Sequence, residues 1–469
     1  MRALTLLPLL LLAGGADGGA AAVPGGEATG ATSGGGGHSK FRVVWNSPWP
    51  LQCYTFCHVD PPSLNLSAYS IEANGVNGNG SMSAASGGVL TLWDEDLGLY
   101  PSDRAPGKKP PQHGGVPQIA VLNLTAHLAK LTKDITEGLR SPRNGILIER
   151  PLAESFDGLG ILDWEAWPFT WSRFGLSGYT PGNSVYMNTS VALVLADHPT
   201  MPAVEAEVEA GRRWDTAART FIEATLATLH KLRPKGRFGF FGWPDCDGRQ
   251  TADGAPLGCD AGFQNMNDQD LGWLWATSSA LFPSTYIAQP PGHYPYRSHG
   301  VNRTRNVSFA SNQRLVDNQI AEAVRLANTA AKGGQRRPLV YPYGRANFYS
   351  RTGYENANSS LMKPQDLAAT VARPAAHGVA GVVLWGGSDD CEDTVCGGVH
   401  CGLCTAADPC MTCDDKCEAQ ANYIAGSLGP VAKAAVAGAD ACAAEHCPGG
   451  GRCATIDGSG ATLPAPKCV

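Results

Sequence analysis

Two carboxylates stand two residues apart in Asp163-Trp164-Glu165, at the end of the apolar run Gly160-Ile161-Leu162. On a strand this spacing sends both side chains out of one face, with Cα atoms about 6.6 Å apart at a rise of roughly 3.3 Å per residue. A same-face pair is poorly placed to straddle a scissile glycosidic bond, as the two carboxyls of ordinary glycosidases do. It suits a substrate that carries its own nucleophile. The carbonyl oxygen of a 2-acetamido group attacks the anomeric carbon, one carboxylic acid protonates the leaving oxygen, and the second carboxylate orients the amide and offsets charge on its nitrogen. Trp164, Trp167 and Trp171 crowd the motif, so burial and a negative neighbour are expected to raise the pKa of Glu165, as an acid catalyst requires. Taken alone the pair has a second reading, because Asp-x-Glu is common by chance and strand-end carboxylates often only cap the next helix.

Other chemistries find less support. The histidines show neither metal-ligand nor triad spacing, and the chain lacks a Gly-x-Ser-x-Gly elbow, a phosphate-binding Walker loop and a dinucleotide fingerprint. Cys401-x2-Cys404 and Cys410-x2-Cys413 could be read as a zinc knot, but only five residues separate the pairs, against roughly 15–20 in a zinc ribbon. Disulfides are the expectation there, with neither metal nor cofactor anywhere in the chain.

The carboxylates need elements to hold them. Short apolar runs at 41–45, 160–164, 238–241, 339–343 and 381–385 read as buried strands. Helical patterns lie between them, clearest at about 204–232 (Val204, Val208, Ala217, Phe221, Leu226, Leu229) and about 315–331 (Ile320, Ala323, Val324, Leu326). Strands alternating with helices predict parallel pairing, and their number over the chain favours a (β/α) barrel over an open sheet. Motifs end several of these strands: Asp163-Trp164-Glu165, Gly242-Trp243-Pro244-Asp245-Cys246 and Gly386-Gly387-Ser388. Barrels place their chemistry at such ends.

Charged residues make up 17% of the 469, below the roughly 25% of soluble proteins, which argues against a long disordered chain. A formal net charge of −6 gives no reason to expect nucleic-acid binding. Residues 1–22 have the pattern of a secretory signal peptide, and the Gly/Ala-rich stretch 23–40 reads as a flexible leader. Residues 41–437 are expected to form the catalytic barrel, interrupted by a Cys-rich insertion at 391–416, with a small disulfide module at 438–469. Fifteen cysteines and seven Asn-x-Ser/Thr sequons, at Asn65, Asn79, Asn123, Asn188, Asn302, Asn306 and Asn358, fit an oxidising route outside the cytosol. With no apolar run long enough to span a bilayer, the expectation is a secreted or lysosomal monomer.

In its setting the carboxylate motif is more specific. Val43-Val44-Trp45-Asn46 comes first, followed by Gly160-Ile161-Leu162-Asp163-Trp164-Glu165-Ala166-Trp167, Gly239-Phe240-Phe241-Gly242-Trp243-Pro244-Asp245-Cys246, Asn267-Asp268-Gln269, Leu271-Gly272-Trp273-Leu274-Trp275 and Gly381-Val382-Val383-Leu384-Trp385. In this order the series resembles the animal hyaluronidases, a family of endo-β-N-acetylhexosaminidases. The resemblance covers roughly residues 41–437. It implies a distorted TIM-like barrel that cleaves the β-1,4 bond after N-acetylhexosamine in hyaluronan, and often chondroitin, without a metal. It also implies that Glu165 is the proton donor, that Asp163 positions the acetamido group, that Tyr286 and Trp385 hold the N-acetylated sugar, and that Tyr100 and Tyr343 line the cleft.

The departures from the family pattern matter as well. Phe241 stands where the family usually has a Tyr whose hydroxyl helps hold the acetamido carbonyl. Pro168 and Gln319 stand where arginines are usual, which removes two cations that could meet substrate carboxylates. These losses leave a second expectation, a weakly active or inactive glycosaminoglycan-binding protein on the same barrel. The resemblance further implies disulfides Cys53–Cys417 and Cys246–Cys259, and a truncated growth-factor-like module paired Cys442–Cys453 and Cys447–Cys468.

Overall fold

The computed structural model describes residues 41–46, 66–73, 76–77, 81–82, 88–93, 97–101, 123–138, 151–177, 184–246, 258–288, 290, 292–298, 301–348, 361–385, 421–457 and 460–469. The signal-peptide and leader expectations, the Cys53–Cys417 pair, the 391–416 insertion and the sequons at Asn65, Asn79 and Asn358 lie outside these residues.

The apolar runs form parallel strands. Arg42–Asn46 pairs on one side with Gly381–Trp385 and on the other with Ile71–Ala73, and Tyr343–Arg345 continues the sheet beyond Gly381–Trp385. A second sheet holds Val89–Trp93, Leu159–Asp163 and Arg237–Phe240, all parallel. A third, short ladder joins Ala280–Leu281 to Leu339–Val340. Single parallel bridges, Phe241 to Phe282 and Ser284 to Tyr343, link the three. The result is an arc of parallel strands. No described pairing joins Val89–Trp93 to Ile71–Ala73, so the sheet pattern shows the parallel α/β arrangement and not the closed ring that was anticipated. Prolines account for the interruptions in the arc: Pro283 and Pro342 have no N–H to give a ladder. Their carbonyls still serve, accepting from Tyr343 N–H (2.8 Å) and Val383 N–H (3.0 Å).

Strand interiors are fully buried, as near-continuous apolar runs in a covered parallel sheet should be. The long helix Ala203–Leu232 turns Trp214, Ala217, Phe221, Leu226 and Leu229 into the core. Val204 and Val208, expected on that stripe, are instead 75% and 70% exposed. The buried face at that end is made by Ala206 and Ala210, whose small side chains let the helix approach Val194 of Val185–Asp197. Ser308 and Ser311 form a reciprocal capping box that starts the helix Phe309–Lys332. Among the described residues no helix is long and apolar enough to cross a membrane.

At the C-terminal end the helix Gly429–His446 is tied to an antiparallel hairpin, Cys453–Ile456 with Thr462–Cys468, by bonds Cys442–Cys453 and Cys447–Cys468. The hairpin docks on a buried carboxylate. Asp317 Oδ1 accepts from Arg373 Nε (2.6 Å) and contacts His377 Nε2 (2.9 Å), while Arg373 Nη2 donates to the Gly460 carbonyl (2.8 Å). Gly460 has φ +76°, and a Cβ there would collide with Asp317 and Arg373, so glycine is required on both counts. Asp317→Ala should lower unfolding free energy by about 2–3 kcal/mol, the scale of lost hydrogen bonds to charged groups. It should also speed proteolysis of the hairpin. Urea melts and limited proteolysis read both effects, and unchanged hairpin protection would show that the docking does not depend on this carboxylate.

Candidate active site

The C-terminal ends of the strands surround a cavity of about 610 Å³. Asp163, Glu165, Phe241, Tyr286, Tyr343 and Trp385 all line it, together with Thr91, Ser284, Trp243 and Gln319. The parallel registers explain the convergence, since Trp93 is opposite Asp163, Leu162 opposite Phe240, and Asn46 and Arg345 both opposite Trp385.

The strand ends at Asp163, so Glu165 lies on the loop that follows it rather than on the strand itself. Alternation nevertheless persists. Asp163 and Glu165 line the cavity while the Trp164 ring is 2% exposed, packed against Tyr100 (4.7 Å), Phe240 (5.6 Å) and Phe221 (5.8 Å). The loop is fixed at further points. Trp167 Nε1 donates to the Pro101 carbonyl (2.5 Å) and Trp214 Nε1 to the Pro168 carbonyl (3.1 Å). The tryptophans therefore anchor the loop from below and do not cover Glu165, whose side chain is exposed. The cover that the crowding of tryptophans predicts over Glu165 is therefore absent in the open cleft.

Tyr100 is likewise placed differently from expectation. It is 1% exposed, stacked on Trp164 and Trp167 (4.7 and 5.1 Å between centroids), and does not line the cavity. Between two indoles a tyrosine buries most of its ring area, and that burial outweighs what a cleft position offers.

Asn46, which the sequence marked only as the end of a motif, organises the cavity floor. Its Nδ2 donates to Thr91 Oγ1 (3.0 Å) and to Tyr343 Oη (2.5 Å), and all three residues are buried. Phe241 lies against Tyr343 (5.0 Å) and Tyr286 (5.8 Å), and Trp385 against Trp93 (6.2 Å) and Tyr343 (6.4 Å), so the wall is aromatic. Burial is the main cause that pushes both hydroxyls far up, Tyr286 and Tyr343, with the Asp163 carboxylate adding to each. Both remain neutral phenols at any working pH and keep their protons for donation.

Past the carboxylates, Arg173 on the helix Trp171–Leu176 lines the cavity and pairs with Asp245 (2.6 Å). It also donates to Ser177 and sits over the Phe263 ring (4.9 Å). Asp245 adjoins Cys246, which is bonded to Cys259. Among the described residues no cluster of three His, Cys, Asp or Glu could hold a metal; the two Cys-x2-Cys pairs fall outside them. Of the described sequons, Asn123 is exposed and caps the helix Leu124–Glu137 by accepting from Ala126 N–H (3.0 Å), and Asn188 is exposed on Val185–Asp197. Asn302 and Asn306 fall on the strand Val301–Val307.

The start of the Arg173 helix rests on Asp215 of the long helix, whose Oδ1 accepts from Trp171 N–H (2.7 Å). Burial, above all, pushes Asp215 up to about 6, against hydrogen bonds from Trp171 and Thr170 and with help from the Asp270 charge. Because the folded value lies above the ordinary 3.8, the folded state favours the protonated acid. The resulting stability is complete below about pH 4 and is lost as pH rises through about 6. Asp215→Asn mimics the protonated form. It should therefore be more stable than wild type above pH 6, on the order of 3 kcal/mol for the rise from 3.8 to about 6 at about 1.4 kcal/mol per pKa unit, with the gap closing toward pH 4. Thermal melts at both ends of that range test this, and a gap independent of pH would contradict the assignment.

Residues 36–463 match the family model described as hyaluronidase. Hyaluronidase-1 of Homo sapiens is 31% identical over 370 residues, covering 78% of this chain and 69% of that protein. Hyaluronidase-3 of Mus musculus is 29% identical over 419 residues, covering 89% and 83%. Among solved structures, bee venom hyaluronidase in complex with a hyaluronic acid tetramer superposes with a TM-score of 0.61 at 24% identity, covering 85% of this chain and all of that one. At that identity the likeness establishes a shared fold.

Proposed function

This chain belongs to the hyaluronidase family of glycoside hydrolases, and on that premise we propose that it cleaves the β-1,4 bond after N-acetylhexosamine in hyaluronan, chondroitin or both, by substrate-assisted retention. The observation that carries the reading is the placement of Asp163 and Glu165 on one wall of an aromatic cavity, with the Trp164 ring turned into the core between them.

Asp163 accepts the acetamido N–H and holds the amide so that its carbonyl oxygen faces the anomeric carbon. Tyr286, a neutral phenol, donates to that oxygen, and Trp385 stacks on the apolar face of the sugar. As the carbonyl oxygen bonds to the anomeric carbon, the glycosidic C–O bond breaks and Glu165 gives its proton to the departing oxygen. The Asp163 charge offsets the positive nitrogen of the resulting oxazolinium ring. Water then attacks the anomeric carbon, returns a proton to Glu165 and opens the ring, giving net retention. A relative captured with a hyaluronic acid tetramer supports a glycosaminoglycan as the ligand of this fold. The proposed organisation is a signal peptide (1–22), a leader (23–40), a barrel (41–437) and a growth-factor-like module (438–469), in a monomer that is secreted or lysosomal.

Reducing-end release from hyaluronan and chondroitin should fall about 10³-fold or more in Glu165→Gln and about 10²-fold or more in Asp163→Asn, with KM little changed, since both groups act mainly in the transition state. Retained binding with no turnover in wild type would instead favour a glycosaminoglycan-binding protein. Phe241→Tyr should raise kcat by about tenfold or more, because an added donor to the acetamido oxygen strengthens as charge develops there, and one such donor is worth roughly 10²-fold in well-placed cases. A KM effect without a kcat gain would place Phe241 away from the reacting carbonyl.

A further inference from the structure

Among the described residues, the charges that line the cavity do not match a polyanion. Among the described lining residues the ionisable side chains besides tyrosine are Asp163, Glu165, Asp245 and Arg173, so carboxylates outnumber cations. The guanidinium is also committed: it pairs with Asp245 at 2.6 Å, donates to Ser177 and covers the Phe263 ring. A second cation, Arg345, lies behind the wall. It is 8% exposed, over the Tyr286 ring (5.5 Å), with Nε donating to Asn347 Oδ1 (3.1 Å), and it does not line the cavity. Against the described wall, a uronate carboxylate gives up its water without gaining an uncommitted cation, and it approaches carboxylates already present.

Gln319 makes an independent case. It lines the cavity one helical turn after Leu315, is 5% exposed, and its buried Oε1 has no hydrogen-bond donor. A buried amide oxygen without a donor is completed by a ligand that brings an N–H or O–H. A sugar hydroxyl or acetamido N–H can supply one, whereas an ionised carboxylate only accepts.

We infer that this cleft recognises the N-acetylated sugar and its hydroxyl-bearing neighbours and does not read the uronate carboxylate, so that it cleaves uncharged polymers of β-1,4-linked N-acetylhexosamine at least as well as their uronate-bearing counterparts. The inference rests on the substrate-assisted reading of Asp163 and Glu165, whose bond-making atoms all belong to the acetamido sugar, the leaving oxygen, Glu165 and water. None belongs to a uronate carboxyl.

The test compares native hyaluronan with hyaluronan whose carboxylates have been reduced to hydroxymethyl groups, which keeps every linkage and removes the charge. With the full chain, kcat/KM on the reduced polymer should equal or exceed that on the native one. The KM for native polymer should stay level or fall as salt rises, since screening relieves repulsion. Gln319→Arg should raise the native-to-reduced ratio of kcat/KM by about tenfold; the salt series on wild type stands independently of how that variant folds. A wild-type preference of about tenfold or more for the native polymer, or a KM that climbs with salt, overturns the inference and leaves the proposed hydrolysis intact. If neither polymer is cleaved, the reading of Asp163 and Glu165 fails and this inference fails with it.

Discussion

The burial of the Trp164 indole is the interaction on which the site depends. Its ring is held among Tyr100, Phe221 and Phe240, and the residues before and after it are thereby turned the other way. The apolar area buried by one large ring sets both directions at once. The supporting contacts beneath the loop, from Pro101, Trp214 and Asp215, extend the same device along 167–171. Catalytic precision here comes from the core and is transmitted over one residue of backbone.

The cleft itself combines neutral donors with committed charges. Tyr286 and Tyr343 keep their protons because burial raises their hydroxyls, and Arg173 is held by Asp245. The described wall is therefore shaped by rings and hydrogen-bond donors more than by an uncommitted positive field. Such a wall recognises sugar faces and amides by contact and leaves long-range attraction to a small role.

Much of the scaffold was legible in the sequence. Apolar runs bounded by Gly and Pro gave strands at Arg42–Asn46, Leu159–Asp163, Arg237–Phe240 and Gly381–Trp385, because a strand buried on both faces leaves a continuous hydrophobic signature. Asp163 and Glu165 could be placed at a strand end because parallel α/β folds gather their chemistry there, whereas Phe241, Tyr286, Tyr343 and Trp385 were joined to them only through the resemblance to the hyaluronidases. What escaped was tertiary. Nothing local distinguishes Tyr100 in a stack from Tyr100 on a wall, and Val204 and Val208 fit a helical period whose true buried edge is set by Ala206 and Ala210 against a neighbouring helix. The crowding of tryptophans around Glu165 suggested cover, but which side of the loop they occupy is decided by the core. Asp215 lies more than forty residues from the loop it supports, so no spacing rule could connect them.

The parallel register of Leu159–Asp163 has a consequence for how this fold can change over time. It is fixed on both sides, with Trp93 opposite Asp163 and Phe240 opposite Leu162, and pleat alternation means that a slip of one position exchanges the two faces of a strand. Inserting or deleting a single residue in this strand would drive two acids into the core and expose the indole. Gradual exchange of side chains around the rim remains open to a lineage, whereas length variation in the segment bearing the acids is closed to it. Divergence in what such enzymes degrade is therefore channelled into the rim and the loops above it.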